Sequence, residues 1–139
     1  LQLVIGAFVS GMDAGKIYNT WPLMGASYFP DDSRFVEFFN ISLFDNPSIV
    51  QFIHRNLAYL ICFIYLYILY EVLKNGNNRL KFPILIIGGT LLFQIFLGIL
   101  TILSGVKIFY ASLHQINSIL IIISTLYFLY ITKYKEIIN

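Results

Sequence analysis

Residues 49–73 read IVQFIHRNLAYLICFIYLYILYEVL, an apolar run broken only by Gln51, His54, Arg55 and Asn56 near its start and Glu71 near its end. Wound as an α-helix, a run of this length crosses the roughly 30 Å hydrocarbon layer of a bilayer. Two segments of the same kind follow at about 82–103 and about 109–132, and a shorter one at about 1–12 opens the chain. The expected fold is all-α: a polytopic membrane protein forming a four-helix transmembrane bundle over residues 1–139, its first helix truncated. The opening Leu1-Gln2-Leu3-Val4-Ile5-Gly6-Ala7-Phe8-Val9 has no initiator Met, no basic n-region and no small-residue cleavage site, so it does not read as a signal peptide. It reads as a helix cut in its middle, and the natural chain is expected to extend upstream.

Composition excludes the ordinary soluble domain. Only 12% of the 139 residues are charged and 58% are hydrophobic, whereas about 25% of residues are charged in a soluble protein. The net charge of +2 comes from scattered Lys and Arg, which argues against a nucleic-acid partner. A single cysteine, Cys62, lies deep in an apolar run, so neither an intrachain disulfide nor a Cys-type zinc site can form.

Charge sets the expected orientation. The connection at 13–48 carries Asp13, Asp31, Asp32, Glu37 and Asp45 against only Lys16 and Arg34, while the connection at 74–81 holds Lys74, Arg79 and Lys81 and the tail holds Lys133 and Lys135. The positive-inside rule places the two basic segments on the cytoplasmic or matrix face. The 13–48 loop and the short turn at 104–108 then lie outside and the C-terminus inside. The outer loop is rich in aromatics (Tyr18, Trp21, Tyr28, Phe29, Phe35, Phe38, Phe39), so part of it is expected to lie along the membrane interface. A bacterial plasma membrane is the expected location, with the mitochondrial inner membrane as the alternative.

Polar and small residues recur at helical spacing: Gln2, Gly6, Ser10 and Asp13 in the first segment, Thr90, Gln94, Gly98 and Thr101 in the third, and Ala111, His114, Ser118, Ile121 and Thr125 in the fourth. In lipid such stripes face other helices, and helix packing alone accounts for most of them.

The only two histidines, His54 and His114, both lie inside membrane segments, where an ionisable group points to function. Each lies about five residues, roughly 8 Å, past the outer start of a segment running from outside to inside. Imidazoles at matching depth on parallel helices can approach a flat macrocycle from opposite faces, as in bis-histidine haem. Gly98 and Thr101 lie at similar depth, and a glycine there leaves room for the ring. Arg55 could pair with a haem propionate or equally snorkel to lipid headgroups. The plainer alternative is that each histidine only hydrogen-bonds a neighbouring helix. Neither Cys62 nor a carboxylate is near both histidines, so a metal site with more protein ligands fits poorly.

Three motifs carry nothing. In Gly11-Met12-Asp13-Ala14-Gly15-Lys16, Ser10 stands where a phosphate loop needs its first glycine and Ile17 where it needs Ser or Thr. Asn40-Ile41-Ser42 is a formal glycosylation triplet with no secretory context. A Ser/His/Asp arrangement is not credible with both histidines in the membrane.

Gly11 through Met24 (GMDAGKIYNTWPLM), Asn46-Pro47, Val50-Gln51-Phe52-Ile53-His54-Arg55, Gln94 with Leu97-Gly98-Ile99, and Leu113-His114-Gln115 together resemble the haem A synthase family. Their order and spacing span nearly the whole chain. The resemblance implies an eight-helix membrane oxidoreductase of two pseudo-symmetric four-helix halves, each with a histidine pair. This chain resembles the second half. There the resemblance implies a haem b cofactor with His54 and His114 as iron ligands, Arg55 and Gly98 being the other candidate cofactor-binding residues. The first half would hold the substrate haem, a reactive acidic residue and, in some members, a cysteine pair, so no catalytic residue is assigned on this chain. The implied reaction oxidises a methyl group of haem O to the formyl group of haem A for cytochrome oxidase, with this half's haem relaying electrons.

Expected partners are haem O, the N-terminal half, the lipid bilayer and either a haem O synthase or a second copy of the chain. Asp13, Lys16, Tyr18 and Asn19 could shape the haem edge or the contact with the first half, or simply cap a helix and anchor the loop. The competing functions are a stand-alone bis-histidine cytochrome b and a haem-free assembly subunit.

Overall fold

The computed structural model describes residues 1–36 and 44–138, the last five of these in backbone only. Glu37, Phe38 and Phe39, the Asn40-Ile41-Ser42 triplet and the Lys135 side chain lie outside the described residues. Among the described residues there are four α-helices: α1 (Gln2–Gly11), α2 (Pro47–Lys74), α3 (Asn78–Leu103) and α4 (Ile108–Ile138). A 3-10 turn, Ala14–Lys16, follows α1. Among the described residues there is no strand, only an isolated antiparallel bridge between Met24 and Ser27.

Three helices, Pro47–Lys74, Asn78–Leu103 and Ile108–Lys133, are long and apolar enough to cross a membrane, and α1 is a shorter apolar helix. The chain is thus an all-α, multi-pass integral membrane protein. Each span begins within a few residues of the apolar run, α2 and α3 each following an asparagine cap. Asn46 Oδ1 accepts from the backbone N–H of Ser48 at 3.0 Å and Ile49 at 3.3 Å, and Pro47 follows at the first helical position, where its missing N–H costs nothing. Asn77 caps α3 through the N–H of Arg79.

The helices pack chiefly as two pairs, α1 on α2 and α3 on α4. The seam between α2 and α3 closes where Tyr65 lies against Gly88: the Tyr65 hydroxyl donates to the Ile84 carbonyl at 3.3 Å, and a Cβ at position 88 would fall 2.1 Å from that oxygen. Only glycine permits this approach.

The α3–α4 turn rests on the 13–36 loop. Val106, at positive φ, packs against Gly15, and Asn19 Nδ2 donates to the Ile102 carbonyl at 3.1 Å. The two connections expected on one side of the membrane therefore meet. Large apolar side chains such as Phe63, Tyr67, Phe82, Leu92 and Ile123 point outward, as lipid-facing positions do.

One expectation about α4 is corrected. Its inward polar track runs through His114, Asn117 and Ser124, the latter two being 3% and 5% exposed, whereas Thr125 is exposed and Ser118 only returns a bond to the Gln115 carbonyl. A helix of 3.6 residues per turn offers an i+3 and an i+4 track from the same residue, and the partners on α3 select the first. On α1, Gln2 and Gly6 face α2, but Ser10 and Asp13 are exposed.

Candidate functional site

The site is built by His54 in the second turn of α2 and His114 in the second turn of α4. Their ring centroids stand 6.4 Å apart with planes inclined at 68°. Matching depth thus becomes direct approach. Each ring lies in a glycine socket on the preceding helix. A Cβ at Gly6 would come 3.2 Å from His54 Cε1, and one at Gly98 would come 3.0 Å from His114 Cε1. Beside each socket, one turn earlier, is a glutamine. Gln2 Nε2 lies 3.5 Å from His54 Nε2 and donates to the His54 carbonyl at 3.1 Å; Gln94 Nε2 lies 3.3 Å from His114 Nε2. Gln-x-x-x-Gly therefore occurs twice, on α1 and on α3, each time facing the histidine of the next helix.

The sequence reading singled out His54, His114 and Gly98, and the structure brings all three together. It missed Gly6, Gln2 and Asn117 as parts of the site. The repeated Gln-x-x-x-Gly spacing was the available signal for the first two. Asn117 bonds Gln94 Oε1 at 2.8 Å and the Thr90 carbonyl at 2.9 Å, a role that depends on the α3–α4 register. Thr101 turns away, donating to the Leu97 carbonyl of its own helix at 2.7 Å. His114 does make the neighbour-helix bond of the plainer alternative, with Nδ1 3.1 Å from the Gln94 carbonyl oxygen, while His54 Nδ1 is buried without a partner.

Arg55 is buried and turned to the outer loop rather than to lipid headgroups. Its Nη1 donates to the Thr20 and Leu23 carbonyls at 2.9 and 3.3 Å and its Nη2 to the Tyr18 carbonyl at 3.1 Å, while Nε has no partner. Gln51, one turn earlier on α2, donates to the same Tyr18 carbonyl at 3.0 Å. These two side chains strap the loop to α2 next to His54.

Asp32 extends the strap. It accepts from the Ser48 hydroxyl at 2.7 Å and the Ser33 hydroxyl at 3.0 Å, and its N–H donates to the Tyr18 hydroxyl at 3.3 Å. Burial opposes its ionisation, but hydrogen bonds from Ser48, Ser33 and Tyr18 outweigh this and hold the carboxyl below its ordinary value. Burial, reinforced by the Asp32 charge, raises the Tyr18 phenol.

Asp13 pairs with Lys16 at 2.9 Å on the exposed surface, and Asn19 ties Gly15 to Ile102. These residues and Tyr18 bond to loop and turn groups, as loop anchors do.

Among the described residues no cluster of three or more His, Cys, Asp or Glu could hold a bare metal ion, and Cys62 is a free thiol. What the site offers is two imidazoles, each backed by backbone where a side chain would otherwise intrude. Ring centres 6.4 Å apart are near enough that both histidines could serve one metal ion lying between them. A macrocycle that brings its own four equatorial nitrogens needs only these two ligands.

Residues 1–126 match the family described as cytochrome oxidase assembly protein. The chain is 49% identical over 133 residues to a haem A synthase of Pelagibacter ubique, covering 96% of this chain and 38% of that protein. It is 40% identical over 129 residues to a haem A synthase of Wolbachia pipientis wMel, covering 93% of this chain and 35% of that protein. The chain thus spans little more than a third of the length of these relatives. No solved structure matches. In keeping with the haem A synthase resemblance of its motifs, the chain belongs to the cytochrome oxidase assembly protein family.

Proposed function

We propose that this chain is the haem b-binding half of a haem A synthase, an oxidoreductase that converts the methyl group of haem O to the formyl group of haem A for cytochrome oxidase. The observation that carries the proposal is the approach of His54 and His114 to a centroid distance of 6.4 Å between two glycine sockets. The similarity to haem A synthases supports the same reading. Haem iron, if held there by His54 and His114, would supply one-electron chemistry for passing electrons from the substrate.

The chain's own residues set the conditions. His54 and His114 would hold the iron through Nε2, and Gly6 and Gly98 keep side chains away from the rings. With Nδ1–H donated to the Gln94 carbonyl, His114 carries its lone pair on Nε2, where the Gln94 amide at 3.3 Å is the group that haem iron would displace. The Nη donors of Arg55 are engaged with the loop, which leaves its buried Nε–H as the donor we assign to an anionic edge of the haem. The apolar helices keep the local dielectric low, a lever on haem potential. Haem O and a second helical half are the partners this reading requires. The basic 74–81 connection favours a cytoplasmic position for that turn and for the C-terminus in a bacterial plasma membrane.

The test is a reduced-minus-oxidised absorption spectrum of the full chain, expressed in membranes with ample haem and purified in mild detergent. A low-spin b-type spectrum that disappears in His54→Ala and in His114→Ala is expected. A folded wild-type chain without haem would refute the reading.

A further inference from the structure

The two glycine sockets look alike but hold their histidines unequally. On the α3–α4 side, His114 Nδ1 faces the Gln94 carbonyl at 3.1 Å. The Gln94 side chain is itself pinned, because its Oε1 accepts from Asn117 Nδ2 at 2.8 Å and Asn117, 3% exposed, also donates to the Thr90 carbonyl at 2.9 Å. Ring, glutamine and asparagine thus form one connected polar unit. On the α1–α2 side, Gln2 reaches the His54 carbonyl, but His54 Nδ1 and Gln2 Oε1 are both buried without a partner. Nothing among the described residues fixes that ring through its second nitrogen.

A second-nitrogen hydrogen bond to a carbonyl does two things for a metal-binding imidazole: it fixes the tautomer and ring orientation, and it makes the ligand nitrogen more basic. His114 has that bond and His54 lacks it. Resting on the haem reading above, we propose that the two axial positions are inequivalent. His114 is the fixed ligand that retains the haem. His54 is the exchangeable one, and the haem face on the α1–α2 side accepts a small ligand, such as an imidazole or carbon monoxide, when His54 is withdrawn. Gln94 and Asn117 are then positioning residues for His114.

The experiment compares wild type, His54→Ala and His114→Ala of the full chain after haem supply, reading haem per protein and the absorption spectrum. His54→Ala is expected to keep at least half of the wild-type haem in a high-spin form that added imidazole returns to low spin. His114→Ala is expected to keep less than a tenth. Equal retention in the two variants, or the reverse order, overturns the inequality and leaves the haem site standing. A folded wild type without haem overturns both. If either alanine variant fails to elute as a folded chain, His54→Leu and His114→Leu, which fill the space with a side chain that cannot bind iron, give the same comparison, and the same order of retention is expected. A second measurement avoids the histidines: Asn117→Leu, which removes the two bonds that hold α4 to α3 one turn from His114, is expected to lower haem retention severalfold, whereas Gln2→Leu changes it less than twofold. A larger loss in Gln2→Leu overturns the proposal.

Discussion

Replacing Gly88 by alanine tests the seam between α2 and α3. The new Cβ would lie 2.1 Å from the Tyr65 hydroxyl oxygen and 2.9 Å from Cζ, so the ring must move and its bond to the Ile84 carbonyl breaks. Loss of that hydrogen bond costs about 1 kcal/mol, and overpacking costs about 1–3 kcal/mol. Alanine's better helix propensity returns about 1 kcal/mol. The expected net destabilisation is about 1–3 kcal/mol. Thermal unfolding of the full chain in mild detergent, followed by the helical circular dichroism signal, measures it. Tyr65→Ala provides the control, because without the ring the clash vanishes and Gly88→Ala becomes neutral or stabilising by up to about 1 kcal/mol. Equal destabilisation in both backgrounds, or none in the presence of Tyr65, would refute the packing argument.

Two further outcomes concern the outer loop. Arg55→Gln strips the Tyr18, Thr20 and Leu23 carbonyls of their shared donor, with an expected loss of about 2–3 kcal/mol in loop anchoring; limited proteolysis within 18–23 should accelerate, and Arg55→Lys should rescue it only in part because one ammonium cannot reproduce the planar fork. The Asp32 carboxyl titrates below its unfolded value near 3.9, so its contribution is complete above that value and is lost as pH falls through the lower folded one. Fluorescence of the single tryptophan, Trp21, should report this acid loosening in wild type and not in Asp32→Asn; identical acid transitions would exclude Asp32 as its source.

The spans were legible because length and apolarity alone decide them, and cap residues moved their ends by only a few positions. The histidine pair was legible for a related reason: equal offsets from two helix starts on the same side become equal depths. What could not be read was the choice between i+3 and i+4 tracks on α4, since Asn117 and Ser124 differ from Ser118 and Thr125 only through their partners on α3. The loop partners of Arg55 could not be read for a similar reason: three carbonyls of a loop more than thirty residues distant in sequence take its Nη donors.

The polar unit between α3 and α4 also bears on how the chain enters the bilayer. The Gln94 amide oxygen and the Asn117 amide nitrogen meet only across the two helices, and a lone helix would present Gln94 or Asn117 bare to hydrocarbon. The turn that joins the helices is only four residues, Ser104 to Lys107. Release into lipid as a preformed hairpin is therefore less costly than release one helix at a time, which makes α3–α4 the natural insertion unit and gives His114 its finished surroundings before the rest of the bundle closes around it.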